Sequence, residues 1–102
     1  MNKYQKHTGD PLSDKTFNFA LRIIYLFRQL QEKQKEYVLS KQVLRSGTAP
    51  GAMVREAKNA ESSKDFAHKL HVAQKETAET QYWLELLLAT NYIELSLYES
   101  FH

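Results

Sequence analysis

The stretch from Leu39 to Ala60, LSKQVLRSGTAPGAMVREAKNA, constrains this chain more than any other. Polar residues stand at both ends, small residues in the middle, and Pro50 where a helix loses a donor and gains a clash with the carbonyl four residues back. Read locally, Gly47-Thr48-Ala49-Pro50-Gly51 is a turn, because proline also biases Ala49 away from the helical region. Read by period it is a helix: Val43/Leu44, Gly47, Pro50/Gly51, Val54 and Ala57 recur at three- and four-residue steps and share one face. Gly47 and Gly51 stand four apart, a small-xxx-small pair that lets another backbone approach closely. The periodic reading is favoured, a single helix deflected at Pro50, with a true break as the alternative.

The flanking segments are helical by the same criterion. Residues 1–11 are polar and expected to be loose at the start. Ser13 fits a helix N-cap, with Leu12 and Phe17 placed for a hydrophobic staple. Two apolar rows follow, Phe17/Ala20/Ile24/Phe27 and Phe19/Ile23/Leu26/Leu30, leaving a narrow polar stripe. A helix this apolar is covered on more than one side, either as the central helix or by another subunit. Residues 31–36 form a polar connection short enough to make the next helix antiparallel. Ser62 and Asp65 form an imperfect capping box for the third helix, whose main stripe is Phe66, Leu70, Ala73, Thr77, Gln81, Leu84 and Leu88. Residues 91–95 break that pattern, and Ser96 with Glu99 announces a fourth helix shortly before His102. The expected helices are 13–33, 37–60, 62–90 and 96–102, in one domain over 12–102 after the polar segment 1–11. The fold class is all-α, an up-down-up-down antiparallel four-helix bundle with a short or truncated last helix. A short last helix leaves a groove among the other three that needs a filler.

Composition narrows the function classes. There is no cysteine, hence no disulfide framework and no thiolate site. No apolar run approaches a membrane span and the polar start is no signal peptide, so cytoplasm is the default. Charge is uneven: residues 1–60 carry eleven Lys/Arg against five acids, and residues 61–102 three against seven. Either the halves pair with each other or a basic surface awaits a partner.

Two segments carry a resemblance: the stretch 39–60 already quoted and DFAHKLHVAQKETAETQYWLELL at 65–87. With LSDKTFNFALRI at the start, they resemble the small four-helix bundle proteins encoded in intervening sequences of bacterial 23S rRNA genes. The ordered pattern SGT-x-x-G, REA, then KE-x-x-ET-x-YWL-x-LL is fairly specific and covers about 12–101. The resemblance implies an up-down-up-down bundle, a second helix continuous through Pro50, and assembly as a ring, commonly a homopentamer. It brings no established catalytic residues, and it points to nucleic acid or a protein partner. The family's fourth helix is longer than the one expected here.

Three constellations are candidates for function. Lys41, Arg45, Thr48, Ala52 and Arg55 form one row beside the apolar face of the second helix. Lys41, Arg45 and Arg55 make an ion-pair row for Glu76 and Glu79, which share a face with Trp83 on the third helix, or else a ridge for phosphates or an ordinary solvated face; the pairing is favoured. Trp83 is expected in a core or interface. A second basic patch is Lys15, Arg22 and Arg28 around Tyr25, suited to single-stranded nucleic acid, although an ordinary solvated face is the favoured reading. Asp65, His68 and His71 have helical spacing for a metal, yet the first two helices lack histidine, so no metal site is assigned. No activated nucleophile or phosphate-binding loop is present, and no cofactor is expected. The expected function is non-enzymatic: an oligomer that binds RNA or DNA through its basic surface, or alternatively an interaction scaffold whose groove or ring accepts a helix from a protein partner.

Overall fold

The computed structural model describes residues 4–102, and every regular element in them is helical. The helices are α1 (Pro11–Glu32), α2 (Leu39–Ala57), α3 (Ser63–Ala89) and α4 (Leu95–Ser100). The molecule measures 43 × 26 × 21 Å, its long dimension matching the 27-residue α3 at about 1.5 Å per residue.

Helix α2 passes through Pro50 without interruption and packs against both α1 and α3. It is therefore the central helix, so of the two readings of the broad apolar α1 the central one does not apply within the subunit. The α1 row Phe17/Ala20/Ile24/Phe27 is only half-buried. The Gly47 face of α2 lies on Ile23 and its Gly51 face on Thr16, so the two helices run in opposite directions. Contacts of Arg45 with Glu79 and of Glu56 with Lys69 give α2 and α3 the same opposed sense. Ile23, Leu26, Leu30, Val43, Leu84, Leu87, Ile93 and Phe101 form the core. Ser46 and Thr80, both fully buried, are joined hydroxyl to hydroxyl at 2.9 Å, and Ser46 donates onward to the Gln42 carbonyl. A buried polar pair costs little once its hydrogen bonds are made.

Several helix ends differ from expectation. The N-cap of α1 is Asp10, not Ser13: its side chain accepts from Ser13 N–H and Oγ, and Pro11 occupies the first turn, where a missing N–H costs nothing. The staple fails with it, and Leu12 is 46% exposed. The described part of the segment before α1 is tied to that helix, and the looseness expected at the start of the chain concerns residues 1–3. Lys6 N–H donates to Asn18 Oδ1, Asn18 Nδ2 donates back to the Lys6 carbonyl, and Thr8 donates twice to the Asp14 carboxylate. Residues 1–3 lie outside the described residues.

Helix α2 starts at Leu39 rather than Tyr37, and its cap comes from an unforeseen place. The buried Glu36 carboxylate accepts from the N–H groups of Val38, Leu39 and Ser40. Lys35, at φ 56°, turns the chain so that Glu36 reaches them. Helix α3 begins as expected, with Ser62 Oγ accepting from Asp65 N–H. It ends with Asn91 in the left-handed region, Tyr92 N–H bonded to the Leu87 carbonyl and Asn91 N–H to that of Leu88, a Schellman arrangement. Helix α4 takes Glu94 as its N-cap, with no side-chain hydrogen bond, so Ser96 already lies inside the first turn and the expected Ser96–Glu99 box is not formed.

Candidate interaction site

The main stripe of α3 is buried only in part. Ala73 and Leu84 are buried, but Phe66 is 46% exposed and Thr77 is exposed; Thr80 and Leu87 complete the buried line instead. The reason is architectural. Helices α1 and α3 flank α2 without their backbones meeting, and α4 is too short to cover the gap. Two adjoining cavities of about 460 and 300 Å³ occupy it, sharing Thr16, Pro50 and Thr77 in their walls. Pro50 is the floor, Leu12 and Leu70 mark one end, and Phe19 and Phe101 the other.

The Phe101 end is braced. Arg22 lies 4.1 Å above the Phe101 ring and donates to the Ser100 carbonyl at 2.8 Å and to Ser100 Oγ at 2.6 Å. Gln81 Nε2 donates to the Phe101 carbonyl at 3.1 Å. Gln81 Oε1 is buried without a hydrogen-bond partner among the described residues.

The expected cation row of α2 is divided. Arg45 donates to Glu76 at 2.9 Å and also to Glu79, whose Oε2 in addition accepts from Trp83 Nε1 at 2.9 Å. Trp83 is half-buried against the core, with Tyr82 tilted on it at 5.2 Å. Lys41 and Arg55 are exposed and form no ion pair among the described residues. Arg55 lines a separate cavity of about 480 Å³ beneath the strapped N-terminal segment, beside Lys6, Lys58 and Glu56. Its cations are largely engaged: Lys58 pairs with Asp10 at 2.7 Å and Lys6 stands over the Phe17 ring.

In the second patch, Arg22 is drawn to the α4 end, while Lys15 and Arg28 stay exposed on α1. His68 and His71 are exposed, Asp65 serves the α3 cap, and no group able to hold a metal ion occurs among the described residues. Among those residues no helix is long and apolar enough to cross a membrane.

With this architecture in view, comparison with known proteins is decisive for kinship. The description "23S rRNA-intervening sequence protein" matches residues 12–102. The chain belongs to that family. The chain is also similar to a solved structure from Bacteroides thetaiotaomicron, a protein of unknown function from the S23 ribosomal protein family. The two share 53% sequence identity at a TM-score of 0.87, over 88% of this chain and 83% of that one. Comparison with curated proteins gives no match. The family is one of unknown function, so what this intervening-sequence protein does must be argued from its own surface.

Two features of that surface were not read from the sequence. Glu36 falls in the polar connection, three residues before α2 begins, and Val38 at the N-cap gives no capping signal of its own. The α3 wall of the groove falls on the stripe that carries Leu70, Ala73, Thr77 and Gln81, whereas Thr16 of the α1 wall lies on neither apolar row of that helix.

Proposed function

We propose that this protein is a non-enzymatic, self-associating helical bundle that acts as an interaction scaffold, its α1–α3 groove receiving a helix from a protein partner. The observation carrying this reading is the groove itself. Leu12 and Phe19 of α1 and Leu70 and Ala73 of α3 line a gap floored by Pro50, which no helix fills among the described residues. The engagement of Arg45 by both Glu76 and Glu79 supports the same choice, since it removes the middle cation from the ridge a nucleic acid would use. In this reading the helices form an up-down-up-down bundle with one position incompletely filled.

Self-association, with a homopentameric ring as the form implied by the family resemblance, is supported by the α1 row Phe17/Ala20/Ile24/Phe27, which is not fully buried within the subunit. Sedimentation equilibrium giving a monomer at micromolar concentration would remove that part. The scaffold reading is tested with a photo-crosslinking amino acid at Thr77 in the groove and a control at Lys41. Adducts that map to a helical segment of another protein, formed at 77 and not at 41, support it; adducts absent at 77 sink it.

The second reading is binding of RNA or DNA. Lys41, Arg55, Lys15 and Arg28 favour it, being exposed cations free of ion pairs among the described residues. Mobility shift with structured RNA at two salt concentrations tests it: binding must weaken as salt rises, because phosphate contacts release counterions.

A further inference from the structure

We propose that the cavity enclosed by α1, α2 and the segment before α1 binds a small phosphorylated sugar or polyol, a function separate from the scaffold reading. The cavity shares no wall residue with the α1–α3 groove, and neither α3 nor α4 borders it. Its volume of about 480 Å³ is that of an ordinary small-molecule site. The segment that closes it is fixed rather than draped. Lys6 N–H donates to Asn18 Oδ1 at 2.9 Å, and Thr8 donates to the Asp14 carboxylate at 2.7 and 2.8 Å. A wall held in place before the ligand arrives lowers the ordering cost of binding.

Charge selects the anion. Lys6, Arg55, Lys58 and Glu56 line the cavity. Two of them are cancelled from outside it: Asp10 pairs with Lys58 at 2.7 Å, and Lys69 with Glu56 at 3.1 Å. Lys6 and Arg55 form no ion pair among the described residues. The Phe17 ring, 4.8 Å from Lys6 Nζ, steers that ammonium without neutralising its charge. Two uncancelled cations match the nearly doubly charged phosphate monoester, and the planar guanidinium of Arg55 suits its oxygens. Hydroxyls select the rest. Thr48 Oγ1 already donates to the Leu44 carbonyl at 2.8 Å, Ser13 Oγ to Asp10 at 3.0 Å and Thr8 Oγ1 to Asp14 at 2.7 Å. With their protons committed, these oxygens can only accept, so the ligand brings hydroxyl donors of its own. A nucleobase fits less well. Phe17 is the one aromatic in the walls among the described residues, and it already carries Lys6 over its ring and Tyr4 in an edge contact at 5.9 Å.

Isothermal titration calorimetry of the whole protein tests this with glucose 1-phosphate, ribose 5-phosphate and glycerol 3-phosphate, and with inorganic phosphate and glucose as controls. At least one phosphorylated probe is expected to bind about ten-fold or more tighter than either control, since it alone offers both the anion and the hydroxyl donors. Arg55→Ala and Lys6→Ala should each weaken that probe at least about five-fold, as loss of a hydrogen bond to a charged group does. Ala52→Leu fills the cavity from an exposed position without changing charge and should abolish binding. Lys41→Ala, on the same helix but outside the cavity, should bind like the parent. Helical circular dichroism is expected to be retained in all four, and Arg55→Ala removes a side chain with no ion pair to lose among the described residues. Binding of none of the phosphorylated probes overturns the proposal. Binding that survives both Arg55→Ala and Ala52→Leu lies elsewhere and overturns it, as does equal weakening by Lys41→Ala and Arg55→Ala, the mark of diffuse attraction. Inorganic phosphate binding as tightly as the phosphorylated probes overturns the sugar assignment. None of these outcomes touches the scaffold reading, whose readout is the crosslink at Thr77.

Discussion

Gly47 of α2 lies so close to Ile23 of α1 that a Cβ at position 47 would stand 2.7 Å from Ile23 Cγ1 and 2.8 Å from Cγ2. Ile23 is fully buried and cannot swing aside. At Gly51 the nearest atom to an added Cβ is the Thr16 carbonyl oxygen at 3.4 Å, an ordinary contact. The two glycines therefore differ, although their spacing made them look alike. Gly47→Ala should destabilise by about 1–2 kcal/mol, overpacking outweighing the helix-propensity gain. Gly51→Ala should be neutral or stabilising by up to about 1 kcal/mol. Urea unfolding of both variants checks this. Ile23→Val keeps both γ carbons and should not relieve Gly47→Ala, whereas Ile23→Ala should, appearing as a coupling of about 1–2 kcal/mol in a double-mutant cycle.

Glu36 is the second position where one side chain serves a whole helix end. Its carboxylate takes three backbone N–H groups at the start of α2, where Val38, the N-cap residue, has no side chain able to do so. Burial pushes this carboxyl upward, but the hydrogen bonds from Ser40, Leu39 and Val38 outweigh it and hold it below the ordinary carboxylate range. Glu36→Ala should cost about 1–2 kcal/mol, as loss of a cap does. Glu36→Gln, retaining one acceptor oxygen, should cost less. A melting temperature that falls equally in both variants would assign the role to side-chain packing rather than to the hydrogen bonds.

How much of this was legible in the sequence follows from which interactions are periodic. The continuity of α2 through Pro50 is a repeating signal, and the spacing of Val43, Gly47, Val54 and Ala57 carried it against the local turn chemistry. Helix ends are single-residue events. Asp10 was passed over for Ser13, since both are good caps and only Pro11 at the helix start separates them. The α3 stripe repeats at helical spacing, but periodicity reports which residues share a face and not whether another element covers it. Phe66 and Thr77 are exposed for that reason. The Arg45 pairing was open from sequence, as the row could serve phosphates or carboxylates; side-chain reach across α2 and α3 places it on Glu76 and Glu79.

The acid side of the stability profile has named causes. Lys58, hydrogen-bonded to Asp10 and aided by Ser13, holds the Asp10 carboxyl down at about 2. Hydrogen bonds from Thr8 lower Asp14 against the opposing effect of burial, and Glu36 is lowered as described. In each case the folded state binds its proton less readily than the unfolded chain. The stability these groups contribute is therefore complete above the ordinary carboxylate range and is lost as pH falls towards 2. Thermal unfolding followed by circular dichroism from pH 7 to pH 2 should show a falling midpoint below about pH 4. Asp10→Asn should lower the midpoint at neutral pH and flatten its dependence at the acid end. A midpoint as steep in that variant as in the parent would locate the acid sensitivity elsewhere.

The Arg45 network bears on function more than on stability. The side chains of Arg45, Glu76 and Glu79 remain 49%, 20% and 36% exposed, so water and salt screen their attraction and each pair contributes about 0.2–1 kcal/mol. Arg45→Ala should accordingly shift the unfolding free energy by less than about 1 kcal/mol while changing Trp83 emission, because Glu79 Oε2 then serves the indole N–H alone. The same variant separates the two functional readings. A cation already facing two carboxylates has little charge left to displace counterions from a phosphate backbone, whereas Lys41 and Arg55 keep theirs. If RNA binds along α2, Lys41→Glu and Arg55→Glu should each weaken it and flatten the slope of log K against log salt, and Arg45→Ala should change neither. Loss of binding in Arg45→Ala equal to that in Lys41→Glu would mean that RNA strips Arg45 from Glu76 and Glu79, and would return the whole row to the nucleic-acid reading.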